Sequence, residues 1–144
     1  MKITKVESIY KPDQSSKCPR PLFTTHVSAG FPSPADDYIE GQLDLNKHLI
    51  KHPAATYFVR VTGDSMIDAG IHNGDILIVD RSLEPKDKNV VIANVDGELT
   101  VKRIRIQGDN LLLVAENQNY PTRQIKQNME FEVWGIVTNV IHSL

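Results

Sequence analysis

The dipeptide Asp96-Gly97 lies between two apolar runs and constrains the fold of this chain more than any other feature. The runs, residues 89–95 and 98–106, are rich in valine and isoleucine. A two-residue Asp-Gly loop between such runs is the strongest short-range signal of a β-hairpin, because both loop positions require positive φ angles. The sequence therefore predicts two neighbouring antiparallel strands here.

Further strand patterns surround this hairpin. Apolar runs that end at turn residues or glycines predict strands over 57–62, 75–80, 111–115 and 131–141. Asp44 is placed to cap a short helix over 44–51 that ends before Pro53, and a second short helix is expected near 65–69. We therefore expect a mainly β protein of twisted antiparallel sheets with short helices. The run 131–141 is compatible with a dimer edge and equally with an internal core strand.

The N-terminal segment differs from the rest in composition and charge. Five of the eight prolines lie within residues 1–37, which predicts an extended arm because proline lacks an amide donor and disfavours helix before it. Residues 1–29 carry a net charge of +3, and residues 30–144 carry −5. Either a basic arm is attached to an acidic body, or the arm is a solvated tail whose charge has no role.

Composition excludes several classes of protein. No apolar run is long enough to span a bilayer, and the chain shows no signal-peptide pattern at its start. Cys18 is the single cysteine, so no intramolecular disulfide can form, and we expect a free thiol and a cytoplasmic protein. A net charge of −2 lacks the basic character of an autonomous DNA-binding protein. We expect neither a metal nor a cofactor.

Ser65 and Lys102 form the candidate catalytic pair. Ser65 follows the strand pattern 57–62 in the tetrapeptide Gly63-Asp-Ser-Met66, and Lys102 lies 37 residues later within the run 98–106. A serine hydroxyl is a poor nucleophile until a base accepts its proton, and a lysine can do so only when its amine is neutral. This placement indicates a Ser-Lys hydrolase.

Strand alternation bears on the state of Lys102. Side chains alternate between the two faces of a strand, so Lys102 shares a face with Thr100, Ile104 and Ile106. Burial on that face would lower the lysine pKa, which otherwise leaves about one amine in a thousand neutral near pH 7.4. The alternative is a surface lysine whose ammonium group reaches solvent.

Several motifs together identify a family. The segments 63–68, 70–71, 74–80 and 96–102 resemble the LexA-type self-cleaving serine peptidases, and segments 30–40, 44–46 and 52–59 are most similar to its UmuD/MucA branch. The resemblance covers residues 22–142 or so. It implies the LexA/UmuD-like peptidase fold with an extended N-terminal arm.

The resemblance implies roles for individual residues. Ser65 matches the nucleophile, Lys102 the general base, and the Ala29-Gly30 bond the scissile peptide. The bond implies two parts, an arm of residues 1–29 that is removed and a peptidase and dimerisation domain of residues 30–144. Backbone amides of Ser65 and Met66 are the expected oxyanion donors. The UmuD sequence has Cys-Gly at the bond, so this chain departs from it toward LexA.

The resemblance also implies a biological role. A RecA filament on single-stranded DNA would promote self-cleavage in the SOS response to DNA damage. The trimmed body would form a homodimer that joins a UmuC-like, Y-family polymerase subunit in error-prone translesion synthesis, without sequence-specific DNA binding or membrane contact of its own.

Four alternatives remain. A LexA- or phage-type repressor would be regulated by the same cleavage, although 29 residues are too few for DNA-reading helices. A lipase-like hydrolase would need a late Asp-x-x-His, where this chain has Asn139 and His142. A degenerate relative would bind partners without cutting. Finally, His26 could serve as the base, although we expect a solvated arm residue.

Overall fold

The computed structural model describes residues 2–13, 19–23 and 39–144. Among these, residues 2–12 and 52–144 form one compact unit, and the described residues of 13–51 form a second. The second unit contains the antiparallel pair β2 (Pro19–Phe23) and β3 (Ile39–Asp44) and the helix α1 (Leu45–Leu49). The Asp44 side chain caps α1 by accepting the amide of Asn46 at 3.0 Å, as the sequence indicated.

The strands of the first unit form a single antiparallel sheet. Its strands are β1 (Lys5–Tyr10), β4 (Thr56–Thr62), β5 (Ile76–Asp80), β6 (Val90–Val95), β7 (Glu98–Gln107), β8 (Asn110–Val114), β9 (Arg123–Ile125) and β10 (Phe131–Ile141). One-turn 3₁₀ helices cover Pro53–Ala55 and Ile67–Ala69. The mainly β fold class expected from the sequence is confirmed.

The β6–β7 hairpin forms where the sequence predicted it. Val95 pairs with Glu98, and Asp96 and Gly97 have φ angles of 50° and 86°. Positive φ at both loop positions is the reason that Asp-Gly suits this turn.

The strand order places β10 inside the sheet. The order is β1-β4-β5-β10-β6-β7-β8-β9, and β10 pairs with β6 over residues 131–136 and with β5 over residues 136–141. Ile136 is the residue that pairs with both neighbours. Each half of β10 therefore has one paired edge, and the dimer-edge interpretation of residues 131–141 stays a prediction.

β1 closes part of this sheet and was not predicted. It pairs antiparallel with β4 along most of its length, and Lys5 also pairs with Thr100 of β7. Sequence analysis assigned these residues to an extended arm, because their apolar pattern is short and their partner strands are distant in sequence. The contacts of β1 bring the N-terminal segment to the candidate active site.

Two apolar clusters stabilise the sheet. Val59, Met66, Leu77 and Val101 belong to one cluster, and Ile104 belongs to the other. β7 contributes to both clusters from its two faces, so the middle of this strand is enclosed. No helix within the described ranges is long and apolar enough to cross a membrane.

Candidate active site

A tight turn after β4 positions Ser65. Gly63 has a φ of +105°, its amide donates to Asn73 Oδ1 at 3.0 Å, and the 3₁₀ helix Ile67–Ala69 follows. Met66 is fully buried, and its carbonyl accepts the amides of Ala69 and Ile71. The apolar Met66 side chain thus anchors the turn that carries Ser65.

Lys102 approaches the serine from the middle of β7. Its Nζ lies 3.4 Å from Ser65 Oγ, and the residue is only 9% exposed. The surface-lysine alternative is therefore wrong. Burial lowers the pKa of Lys102, because desolvation disfavours the ammonium form. The structure thus joins the two residues that sequence analysis paired, in surroundings that favour a neutral amine.

The N-terminal segment covers the serine. Thr4 donates its backbone amide to Ser65 Oγ at 2.8 Å, and its carbonyl accepts from the Val101 amide at 3.0 Å. Asp64 donates its amide to the Lys2 carbonyl at 2.9 Å. Ser65 and Thr4 are both fully buried. An extended backbone therefore lies in a groove between the serine turn and β7.

Gly63 permits this close approach. A Cβ atom built on Gly63 would lie 2.4 Å from the carbonyl oxygen of Ile3, which is far inside van der Waals contact. Sequence analysis recognised glycine in the motif but not this contact. Glycine is needed here both for its positive φ and for its missing side chain.

Asp64 is held by three neighbours. Its Oδ1 accepts the hydroxyl of Tyr120 at 2.6 Å and the amide of Lys2 at 3.2 Å, and its carbonyl accepts from Asn117 Nδ2 at 2.9 Å. The Tyr120 hydrogen bond lowers the pKa of Asp64, while desolvation and that same bond raise the pKa of Tyr120 to about 12. Tyr120 and Asn117 follow β8 and gave no sequence signal, because only the fold brings them here.

Four other residues that the sequence singled out lie outside the described residues: the scissile pair Ala29 and Gly30, the thiol Cys18 and the alternative base His26. The amides of Ser65 and Met66 lie at the start of the turn, and their oxyanion role stays a prediction.

The histidine that a lipase-like hydrolase would use lies in another cluster. His142 Nδ1 is 2.6 Å from Asp75 Oδ1, whereas the side chain that meets Ser65 Oγ is Lys102. The base candidate beside Ser65 is therefore a lysine, and the histidine of the lipase-like alternative contacts Asp75 instead.

Comparison with known proteins agrees with this geometry. The family model described as Peptidase S24-like matches residues 21–138. Protein SamA of Salmonella typhimurium is 48% identical over 85% of this chain and 84% of its own length. Protein MucA of Escherichia coli is 43% identical over 86% and 83%. The LexA repressor of Colwellia psychrerythraea is 40% identical over 81% of this chain, which spans 56% of that repressor.

Proposed function

Because this chain belongs to the S24-like peptidase family, we propose that it is a self-cleaving serine peptidase that cuts the Ala29–Gly30 bond. Ser65 is the nucleophile and Lys102 the general base. The observation that carries the proposal is the 3.4 Å approach of Lys102 Nζ to Ser65 Oγ in a buried setting. A lysine whose pKa is lowered by burial can accept the serine proton.

The proposed reaction has two stages. Lys102 takes the hydroxyl proton as Ser65 Oγ attacks the carbonyl carbon of Ala29, and the amides of Ser65 and Met66 stabilise the developing oxyanion. The C–N bond then breaks, and the Lys102 ammonium returns the proton to the Gly30 nitrogen. Water, deprotonated by Lys102, attacks the resulting ester and releases Ser65 and a carboxylate on Ala29.

The occupied groove supports a peptide substrate. Thr4 and Lys2 already lie there as extended backbone, with hydrogen bonds from the Val101 amide and the Asp64 amide. Backbone hydrogen bonds recognise a strand independently of its side chains, which is how β-augmentation binds peptides. The same groove can therefore receive the segment around Ala29 and Gly30.

The resident segment must leave before cleavage. Ser65 is fully buried beneath Thr4, so a second peptide cannot reach Oγ while residues 2–4 remain. In this proposal the two segments compete for the groove, and the chain is inactive while residues 2–4 occupy it. A partner that favours the exchanged arrangement would accelerate cleavage by a population shift, without adding a catalytic group.

Variants of Thr4 test this competition. Thr4→Pro removes the amide that donates to Ser65, and we expect self-cleavage several times faster than wild type. Thr4→Val is the matched control, because it keeps the amide and the shape and replaces a hydroxyl that has no hydrogen-bond partner among the described residues. Labelling of Ser65 by a fluorophosphonate should rise in parallel. Unchanged cleavage and labelling in Thr4→Pro would contradict the competition but leave the peptidase proposal intact.

The cleavage itself is tested by intact mass. Protein incubated with RecA, an ATP analogue and single-stranded DNA should yield fragments of 29 and 115 residues. A fragment that begins at a residue other than Gly30 would show that the scissile bond is not Ala29–Gly30.

The resemblance to the UmuD/MucA branch extends the proposal to a cellular role. After DNA damage, a RecA filament promotes cleavage in the cytoplasm, and residues 30–144 form a homodimer. The dimer is an accessory subunit of a Y-family translesion polymerase. The net charge of −5 on residues 30–144 suits a protein that relies on its partners to contact DNA.

A pull-down tests that role. Residues 30–144 should capture a Y-family polymerase subunit, and the same fragment with Ser65→Ala should capture it equally well, since the catalytic pair is needed only to make the fragment. The repressor alternative would be favoured if the fragment captured no polymerase while the intact chain bound a specific operator.

A further inference from the structure

Three side chains that commonly bind metals converge where β5 begins and β10 ends. His142 Nδ1 lies 2.6 Å from Asp75 Oδ1, and His72 Nδ1 lies 3.7 Å from Asp75 Oδ2. The two imidazole rings have their centroids 4.6 Å apart and are tilted by 33° relative to one another. One ligand atom from each residue lies within 4.8 Å of the others.

The local backbone fixes this convergence. His72 donates its amide to Asp75 Oδ2 at 2.7 Å, and Asp75 donates its amide to the His72 carbonyl at 3.1 Å, which closes a tight turn before β5. Ile76 of β5 pairs with Ile141 of β10, so the residue after β10 lies beside the residue before β5. The sheet register therefore brings His142 to Asp75.

The cluster contains one polar atom that its own hydrogen bonds do not satisfy. His72 Nδ1 is buried and has no hydrogen-bond partner among the described residues, because Asp75 Oδ2 is too far away at 3.7 Å. The Asp75 side chain is only 4% exposed, and its two oxygens face His142 Nδ1 and the His72 amide. Buried nitrogen and oxygen atoms in native structures normally have partners, so His72 Nδ1 leaves a position for an additional group.

We propose that His72, Asp75 and His142 bind a divalent cation of the zinc class. Imidazole nitrogen and carboxylate oxygen are ligands of Zn²⁺, and three protein ligands leave the fourth position to water. Ligands about 2.0–2.2 Å from tetrahedral zinc are roughly 3.3–3.6 Å apart. The pair of atoms at 2.6 Å must therefore open by somewhat less than about 1 Å, while the pair at 3.7 Å is already close to this spacing.

A positive neighbour limits the affinity of this site. Arg60 lines a surface cavity together with Asp75 and His142, and its side chain donates to the carbonyl of Gly74 at 2.9 Å. Its guanidinium opposes a cation, so one carboxylate and two neutral imidazoles have to supply the attraction. Sequence analysis expected no metal, because His142 is distant from the other two ligands and the spacing of the three residues follows no metal motif.

A second histidine–aspartate pair provides an internal control. His52 Nδ1 lies 2.5 Å from Asp80 Oδ2, but Asp80 Oδ1 also accepts the amide and hydroxyl of Ser82. This pair has one imidazole instead of two, and its carboxylate makes three hydrogen bonds where that of Asp75 makes two. Replacing His52 should therefore not affect zinc binding.

The experiment uses the full chain with Ser65→Ala to prevent cleavage and Cys18→Ser to exclude thiolate binding, after removal of any purification tag. Calorimetric titration with zinc chloride should show one Zn²⁺ per chain. His72→Ala and His142→Ala should each weaken binding at least tenfold, whereas His52→Ala should stay within twofold. Cobalt chloride should give the visible absorption of tetrahedral Co²⁺, and magnesium chloride should not compete.

Thermal unfolding keeps the proposal testable if a variant is destabilised. Zinc should raise the melting temperature of the parent and of His52→Ala, but not of His142→Asn, a variant that retains a polar side chain. The proposal is overturned if the parent binds no zinc, or if His72→Ala and His142→Asn bind it as tightly as the parent does. The proposal would also be overturned if His52→Ala lost as much zinc affinity as the His72 and His142 variants.

Discussion

The Ser65–Lys102 pair and the His72–Asp75–His142 cluster differ in exposure, although Ser65 and Asp75 lie only ten positions apart in the chain. Ser65 is fully buried and Lys102 is 9% exposed. The side chains of His72 and His142 are 42% and 41% exposed, although Asp75 between them is buried. One polar cluster is therefore buried, and the other is open to solvent and ions.

This difference shows how surroundings select chemistry. In the buried cluster, desolvation lowers the pKa of Lys102 and a backbone segment occupies the space over the serine. In the open cluster, two imidazoles face a carboxylate where water and ions have access. Exclusion of solvent favours proton transfer from a serine, whereas access for solvent favours binding of a dissolved cation.

The largest expected effect comes from replacing either Ser65 or Lys102 in the buried cluster. Ser65→Ala and Lys102→Ala should each abolish detectable self-cleavage, and the double variant should be no worse, because groups that act as one unit are strongly non-additive. Intact-mass time courses measure this, with exposed Lys126→Ala as the control that removes a lysine elsewhere. Persistent cleavage in Lys102→Ala would show that another residue is the base, and His26 would be tested first.

The second largest expected effect is the pH dependence of the rate of self-cleavage. Self-cleavage without a filament should rise about tenfold per pH unit while Lys102 is mainly protonated, because the neutral fraction rises by that factor. The rate should level off above the lowered pKa of Lys102. A flat profile between about pH 7 and 10 would argue against a titrating lysine as the base.

The lowered pKa of Lys102 also affects folding stability. Between the lowered pKa of folded Lys102 and the ordinary value, the unfolded chain binds more protons than the folded chain, so stability rises with pH in this interval. Lys102→Met should remove that rise. Urea unfolding at several pH values measures it, and an unchanged slope in the variant would contradict the desolvation of Lys102.

A pair of glycine variants separates close approach from backbone strain. Gly63 and Gly74 both have positive φ, but a Cβ on Gly63 would strike Ile3, whereas nothing lies within 4 Å of one on Gly74. Gly74→Ala should cost about 1–2 kcal/mol from strain alone. Gly63→Ala should either cost more in urea unfolding or displace residues 2–4 and increase fluorophosphonate labelling of Ser65. Equal cost without extra labelling would contradict the close contact.

The smallest effect concerns the hydrogen bond that fixes Asp64. Tyr120→Phe should lower the urea midpoint slightly at pH 7, since the tyrosine hydroxyl lowers the pKa of Asp64. The pKa of Asp64 is depressed on folding, so this contribution is present above its unfolded pKa and is lost as the pH falls through the folded value. The difference between Tyr120→Phe and wild type should therefore shrink in acid. A constant difference at all pH values would indicate a packing effect instead.

The sequence by itself determined the local elements. The Asp-Gly loop gave the hairpin and the cap at Asp44 gave the helix α1, because each depends on residues close together in the chain. The alternation along β7 gave the face on which Lys102 lies but left its burial open, since Ile106 on the same face is exposed. The family motifs also indicated the Ser65–Lys102 pair, which the fold places 3.4 Å apart.

Only the tertiary structure decided the contacts between distant segments. The pairing of β1 with β4 placed Thr4 over Ser65, the strand order put β10 between β5 and β6, and the β5–β10 register brought His142 to Asp75. Thr4 and Ser65 are 61 positions apart in the chain, and Asp75 and His142 are 67 positions apart. Local patterns carry no information about such pairings, because the choice of strand neighbours depends on how the entire sheet closes around its core.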